Sequence, residues 1–454
     1  MIHKYKLNNY NILIDVNSGA IHIIDDICFD ILDVINKENL YTYSEDKLIS
    51  QFSGKYKKQD ILETYQEIQT MFQNDKLFTG DLLFGKNTKD KIVNSPIKAM
   101  CINIAHDCNL ECEYCFAAKG DFGCGRELMT LDTAKKAIDF LISNSENRHN
   151  LEVDFFGGEP LMNFNVIRDT VGYARSIEKK FGKNFRFTIT TNGILLDDEK
   201  IDFINKEMDN VVLSLDGRKT INDKLRLTKS GKSSYEMIVP KYQKLVNSRK
   251  DKDYYVRGTF TKNNLDFSKD VIHMHELGFK NMSIEPVVSD PRLSYSIKKE
   301  DLDAIFQEYE LLAKKIIELK KKNEKINFFH FMIDLEKSPC AIKKFKGCGC
   351  GNEYVAVTPN GDIYPCHQFV GQDEFKMGNL NNNTFNQEIK SKFSSNNIYS
   401  KDECKKCWAK YFCSGGCSAN NLNFEKNINI PHKISCDLQK KRLECAIMIK
   451  ACCR

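Results

Sequence analysis

The sequence predicts an α/β protein: a partial barrel of six β/α units, preceded by a small mixed module and followed by a cysteine-rich region. Three observations carry this reading. From about 98 to 325, apolar strand-like runs alternate with helical patterns, as parallel strands joined by right-handed crossovers require. Twelve of the 18 cysteines lie from position 340 onward, and a tight trio stands at 108, 112 and 115. The first 90 residues carry a short strand pair and then amphipathic helices, closed by a polar stretch at 85–97 that reads as a linker.

In chain order, Tyr10–Asp15 and Ala20–Ile24 read as strands, with Asn17-Ser18-Gly19 as the turn. Helices are expected around 28–37, 46–53 and 59–75. The central unit gives strands at 99–104, 151–156, 185–190, 210–215, 254–261 and 281–286. Its helices fall near 131–145, 164–181, 197–208, 234–248, 266–277 and 299–323. Six units fall short of the eight that close a barrel, so an open one is expected. From about 338 the periodicity fades while Gly and Asn become frequent, which reads as a loop-rich, metal-stapled region ending at 454.

Composition narrows the function classes. A net charge of +5 on 67 basic and 62 acidic residues is too balanced to suggest a nucleic-acid partner. The N-terminus lacks the apolar stretch of a signal peptide, and no run of about 18 apolar residues suggests a membrane span. In a chain of this length without an export signal, clustered cysteines point to metal or iron–sulfur ligation in a reducing cytoplasm.

The chemistry concentrates at strand ends. Cys108-Asn-Leu-Glu-Cys112-Glu-Tyr-Cys115 has the spacing C-x3-C-x2-C directly after a strand. Three thiolates can hold three irons of a cubane and leave the fourth open. Gly157-Gly158-Glu159-Pro160, Thr191-Asn192-Gly193 and Ser214-Leu215-Asp216-Gly217 also follow strands. All four segments are expected on one rim, where such folds place their sites. A zinc site missing a ligand is the plainer alternative for the trio.

On these motifs, residues 98–325 resemble the radical S-adenosylmethionine (SAM) superfamily. The resemblance implies that Cys108, Cys112 and Cys115 bind a 4Fe–4S cluster whose open iron chelates SAM and cleaves it to a 5′-deoxyadenosyl radical. It implies Tyr114 near the adenine and Gly157, Gly158 and Glu159 as a backbone strip near the SAM ammonium. It places Ser214 and Asp216 near the ribose and Arg226 at the SAM carboxylate, which a planar guanidinium suits.

The run Cys404-x2-Cys407-x5-Cys413-x3-Cys417, with Cys436 beyond and Cys340, Cys348, Cys350 and Cys366 upstream, resembles the SPASM domain over about 338–440. That resemblance implies two auxiliary 4Fe–4S clusters, making three in all. Cys404, Cys407, Cys413 and Cys436 would hold one. Cys340, Cys348, Cys366 and Cys417 are candidates for the other, with Cys350 a rival to Cys340 or Cys348. Cys28 and Cys101 read as core residues, and Cys124 stands in a Gly-rich loop beyond the trio.

Residues 1–90 resemble the winged-helix-like precursor-recognition domain of peptide-modifying enzymes, with three strands and three helices. Such domains bind a leader peptide as an added edge strand. Taken whole, the chain is similar to maturases of SCIFF peptides (six cysteines in forty-five residues). This rests on Ala105-His106-Asp107-Cys108, Gly347-Cys348-Gly349 and the stretch Val357–Val370 containing Tyr364-Pro365-Cys366-His367. The implied function is a cytoplasmic oxidoreductase forming Cys-to-Thr thioethers in a cysteine-rich precursor peptide, with ferredoxin or flavodoxin as electron donor. The alternatives are carbon–carbon crosslinking, sulfatase maturation, and a non-enzymatic iron–sulfur scaffold.

Overall fold

The computed structural model describes residues 1–81, 95–333 and 341–453, the side chains of 341–343 excepted. Cys340 and most of the polar stretch at 85–97 lie outside the described residues.

The N-terminal residues form a three-stranded antiparallel sheet, β1 (Ile2–Leu7), β2 (Tyr10–Asp15) and β3 (Ile21–Ile24), in the order β1-β2-β3. Helices Asp26–Ile31, Glu45–Phe52 and Lys58–Gln73 follow. The pattern of alternate burial divides β2 between two cores. Leu13 packs with Ile27, Ile31, Ile61 and Ile68 of these helices. Tyr5, Leu7, Ile12 and Ile14 instead join the core of the main body. The sheet is therefore docked, with Tyr5 Oη donating to the Glu444 carbonyl at 2.8 Å and His3 stacked on Trp408, ring centroids 3.9 Å apart.

The central body is one sheet. Strands β4 (Ala99–His106), β6 (Asn150–Gly157), β7 (Asn184–Thr191), β8 (Asn210–Ser214), β9 (Asp253–Phe260) and β10 (Asn281–Pro286) lie side by side in chain order, all parallel. Short β5 (Glu127–Leu128) pairs with the end of β4, and β11 (Asn327–Phe328) follows β10. Helices Leu131–Ser143, Phe164–Phe181, Asp198–Glu207, Tyr235–Ser248, Phe267–Glu276 and Leu302–Lys321 make the crossovers and cover one face. Toward them point Leu151, Val153 and Phe155 of β6 and Phe185, Phe187 and Ile189 of β7, all buried. Phe155 and Phe187 stack with centroids 5.8 Å apart, and truncating such a buried ring to Ala costs about 3–5 kcal/mol. The opposite, concave face carries the alternate residues.

The sheet continues past β4. β12 (Tyr354–Val357) pairs with it in parallel, and β13 (Asp362–Tyr364), β14 (Gly378–Asn379) and β15 (Thr384–Phe385) add antiparallel strands. β4 is thus flanked on both sides, which accounts for its burial at every position. The expectation of a loop-rich region after 338 is corrected at its end by a 20-residue helix, Lys433–Cys452. Its buried residues Leu438, Leu443 and Cys445–Ile449 pack in the main core with Tyr309 and Leu312 of helix Leu302–Lys321.

Candidate active site

The trio follows β4 in a loop gripped from two sides. On one side, Gly158 N–H donates to the Ala105 carbonyl and Glu159 N–H to the Asp107 carbonyl, both at 2.8 Å. This contact demands glycine: a Cβ on Gly157 would stand 2.3 Å from the Ala105 oxygen, and one on Gly158 2.2 Å from the Asp107 oxygen. On the other side, Glu111 and Glu113 N–H groups donate to the carbonyls of Leu227 and Leu225 at 2.8 and 3.0 Å. Gly120 approaches Cys108 so closely that a Cβ there would lie 2.7 Å from the Cys108 Cβ.

Cys108 is buried, while Cys112 and Cys115 are half-buried. Leu110 N–H points at Cys108 Sγ from 3.4 Å, and Asn192 Nδ2 lies 3.6 Å away. Arg226 Nη1 is 4.0 Å from Cys112 Sγ. Burial pushes the Cys108 thiol up to about 12 and the Cys112 thiol up to about 11, Arg226 opposing the latter. Bare, the Cys108 and Cys112 thiols stay protonated; ligation to a metal makes the thiolates favourable.

Tyr114 Oη donates to the Asp216 carboxylate, with oxygens 2.7 and 2.9 Å away, and Thr259 N–H donates to it at 2.9 Å. Arg226 Nε is 3.0 Å from Asp216, out of line for a hydrogen bond, and its guanidinium lies over the Tyr114 ring at 5.6 Å. Buried Asp216 therefore positions Tyr114 and Arg226 by direct contact. Ser214 lends its carbonyl to Tyr242 Oη at 3.0 Å. The Glu159 carboxylate turns inward and accepts from Thr191 Oγ1 and Asn192 N–H at 2.7 Å and Leu161 N–H at 3.0 Å. Glu159 is thus a brace between the ends of β6 and β7, and burial raises its carboxyl to about 7. What the strip Gly157–Glu159 offers a ligand is backbone.

These residues fit an iron–sulfur cluster with a chelated amino acid. The donor set is three cysteines with N–H groups aimed at Cys108. Two buried donors, Asn109 Nδ2 and Arg226 Nε, lack an aligned hydrogen-bond acceptor; Nε already faces Asp216, and the guanidinium charge with Asn109 Nδ2 is suited to an incoming carboxylate. Among the described residues, no three His, Cys, Asp or Glu side chains close around a point as ligands of a single ion do.

The later cysteines gather into two sets. Cys404, Cys407, Cys413 and Cys436 lie within electrostatic reach of one another, the last carried by the C-terminal helix. Cys348, Cys350, Cys366 and Cys417 form the second set. Cys350 stands against Cys366, and its S–H donation holds the Cys366 thiol below its ordinary range. Cys340, a candidate for the same set, lies outside the described residues. Between the two sets stands buried Lys401, whose Nζ donates to the Gly415 carbonyl at 2.7 Å and lies near Cys404, Cys413, Cys436 and Cys417. Nothing in the sequence marked Lys401. Asn192 was placed on the rim by its strand-end motif, but not as a neighbour of Cys108.

Cys366 and Cys115 share one apolar cluster with Ala117, Phe122 and Phe369. Phe116, next to Cys115, meets His367, next to Cys366, with ring centroids 5.5 Å apart. Cys124 lies beside Gly371, whose Cβ would approach its Sγ to 3.3 Å.

A family model for the radical SAM superfamily matches residues 102–259, and one for the SPASM iron–sulfur cluster-binding domain matches 348–408. The chain belongs to the radical SAM superfamily. It carries a SPASM domain, and its relatives include maturases. A cysteine-type anaerobic sulfatase-maturating enzyme of Clostridium novyi is 27% identical over 71% of this chain and 88% of its own length. The radical SAM cyclopropyl synthase TigE of Paramaledivibacter caminithermalis is 23% identical over 95% of this chain and 91% of its own. A match of that extent includes part of the N-terminal module. Among solved structures, anSMEcpe with bound AdoMet and Kp18Cys peptide shares the fold, with a TM-score of 0.65 and 22% identity over 79% of this chain and 99% of that one. Radical SAM and SPASM domains imply 4Fe–4S clusters and SAM as cofactors. No helix among the described residues is long and apolar enough to cross a membrane.

Proposed function

We propose that this enzyme installs Cys-to-Thr thioethers in a ribosomally made, cysteine-rich precursor peptide of the SCIFF type. The observation that carries this reading is the meeting of Phe116 and His367, 5.5 Å apart on the concave face. Each ring adjoins a cysteine, Cys115 or Cys366, from a different cluster-binding set. A peptide lying there is within reach of both.

When bound, the clusters and SAM supply a 5′-deoxyadenosyl radical, a thiolate-binding iron and a sink for one electron. This chain's residues do the positioning. Arg226 and Asn109 would offer donors to the SAM carboxylate, Asp216 holds Tyr114 in place, and the Gly157–Gly158 backbone would accept from the SAM ammonium. The set Cys348, Cys350, Cys366 and Cys417, with Cys340 as a further candidate, would hold one auxiliary cluster; Cys404, Cys407, Cys413 and Cys436 would hold the other. Keeping sulfur and target carbon together removes much of the entropic barrier to joining them.

The N-terminal module would dock the leader. Among the described residues, β3 has β2 as its only strand partner, leaving an edge open to an added strand. Ile23 on β3 is 54% exposed. Docking there raises the effective concentration of the core peptide at the barrel mouth. The enzyme would work in the cytoplasm, reduced by ferredoxin or flavodoxin.

The test is anaerobic incubation of reconstituted enzyme with a cysteine-rich precursor, SAM and reductant. Each thioether lowers the peptide mass by about two hydrogens and removes one alkylatable thiol, by bond counting on a cofactor-borne radical step. Tandem mass spectrometry should place each link between Cys and Thr. Mass loss with every thiol still alkylatable after disulfide reduction would contradict the reading and favour carbon–carbon crosslinking.

A further inference from the structure

The concave face of the sheet holds a carboxylate that the cluster and SAM machinery leaves unused. On β6, Leu151, Val153 and Phe155 point to the helices, so Asp154 and Phe156 point the other way. Phe156 confirms the direction: its ring lies 4.9 Å from that of His367 and 6.4 Å from that of Phe116. Asp154 sits one pleat deeper, directly beneath the place where the two cysteine sets approach.

Asp154 has no partner of its own. Its Oδ1 is buried and accepts no hydrogen bond. Arg257 is its nearest opposing charge, but that guanidinium leans toward Glu285, with Nη2 3.8 Å from Oε1. Burial raises the Asp154 carboxyl to about 7. A buried acceptor left unpaired is costly and rare in native proteins. Around it stand Cys101, its register partner on β4, and Tyr354 of β12, both within electrostatic reach, with the rings of Phe116, Phe156 and His367 nearer the rim, so a bound side chain would meet mostly aromatic walls and an acceptor below.

We propose that Asp154 accepts a hydrogen bond from the hydroxyl of the peptide residue to be crosslinked, and so selects a hydroxyl-bearing target. This rests on the reading that the target is Thr. The physical basis is that a site built around a buried acceptor rejects a substrate lacking the donor, because the acceptor is then left desolvated and unpaired. Val has the shape of Thr without the hydroxyl, so it isolates the effect.

The experiment compares precursors with Thr, Ser or Val at the target position, using reconstituted holoenzyme and its Asp154→Asn and Asp154→Leu variants. Iron and sulfide content establish that each variant is loaded. The wild type should prefer Thr over Val by at least about 100-fold in kcat/KM, as expected of a site that pairs with a substrate hydroxyl. Asp154→Leu should cut that preference at least about tenfold, while Asp154→Asn, which keeps an acceptor oxygen, should retain part of it. A preference unchanged in both variants, or kcat/KM for Thr and Val falling equally, would overturn the assignment. If Asp154→Leu does not load, the Asn variant decides: a preference equal to or above the wild type's overturns it, and a reduced one supports it. If the wild type modifies a residue without a hydroxyl, the Cys-to-Thr reading falls and this inference falls with it. If it modifies Thr and the variants discriminate as the wild type does, only the Asp154 assignment falls.

Discussion

The two cysteine-bearing regions hold their ligands by opposite means. The trio Cys108, Cys112 and Cys115 occupies one loop at the end of β4, a strand buried throughout its length in the largest core of the molecule. The sets around Cys366 and Cys404 draw on segments from 348 to 436; β12 and β13 reach the main core through Val355, Val357 and Ile363, but Cys366 and Cys404 themselves rest on smaller apolar clusters, the second built on Val16, Phe345, Ile398 and Tyr411. A rigid scaffold presents ligands with or without metal. A region with little core of its own takes part of its folding energy from ligation. On the proposed assignment, the difference would separate a radical-generating site, which needs precise geometry around an open iron, from auxiliary sites stapled by their metals.

Removing metal is the strongest way to break this comparison. Chelation of all iron should leave amide protection in β6, β7 and β12 intact and expose the cysteine-bearing segments from 398 to 431 to exchange and proteolysis. Equal loss of protection in both regions would contradict the contrast. Replacing Cys108, Cys112 and Cys115 together by Ala should abolish SAM cleavage while the iron held by the later cysteines remains. Loss of nearly all iron would show the two regions to be one unit.

A smaller effect sharpens the contrast at the barrel rim. Gly158→Ala places a Cβ 2.2 Å from the Asp107 carbonyl oxygen, and backbone must move to relieve it. The expected loss is about 2–4 kcal/mol of stability, in the range of strained-backbone substitutions. SAM cleavage should fall further than the midpoint of denaturant unfolding predicts, because the same carbonyl region anchors the cluster loop. A midpoint within experimental error of the wild type would refute the close-packing account.

Asp154 gives a pH signature. Its carboxyl is raised to about 7 by burial, above its ordinary unfolded range, so the folded state binds the proton more tightly. Stability is then highest below pH ~4 for this group and declines as pH rises toward 7, with a cost of up to about 4 kcal/mol above it. Asp154→Asn should flatten that slope and raise the unfolding midpoint at pH 8, where a merely structural carboxylate would lower it. Stability gained as Thr selection weakens is the trade-off expected of a functional group.

The smallest effect concerns the docked module. Tyr5→Phe removes the 2.8 Å hydrogen bond to the Glu444 carbonyl and should cost about 1 kcal/mol in global stability. Ile23→Lys on the exposed β3 edge should leave stability within about 0.5 kcal/mol while weakening precursor binding, measured by fluorescence anisotropy of a labelled leader. A stability loss confined to residues 1–81 on Tyr5→Phe would show the module to unfold independently.

The sequence by itself determined the parallel sheet, because apolar runs at β spacing alternating with 3.6-residue helical patterns admit few other folds. It also singled out Cys108, Cys112 and Cys115 and the glycines that the structure sets beside them, since C-x3-C-x2-C and Gly-Gly-Glu-Pro are local signals. The cysteine census foreshadowed two further sets. Pairing across distance was decided by tertiary structure alone. The helix Lys433–Cys452 carries Lys and Arg among its cysteines and shows no clean apolar stripe, because it is buried on several sides only toward its end. Its helical state follows from packing on Leu302–Lys321 and β1. The division of β2 between two cores, the turn of Glu159 inward to Thr191 and Asn192, and the contact of Cys350 with Cys366 likewise depend on which segments meet. Asp154 is the clearest case. In sequence it is one acidic residue in an apolar strand, indistinguishable from a solvent-facing position of the same period, and only the tertiary structure, which seats it beside Cys101 of β4 and near Tyr354 of β12, turns it into a carboxylate with a buried, unpaired oxygen.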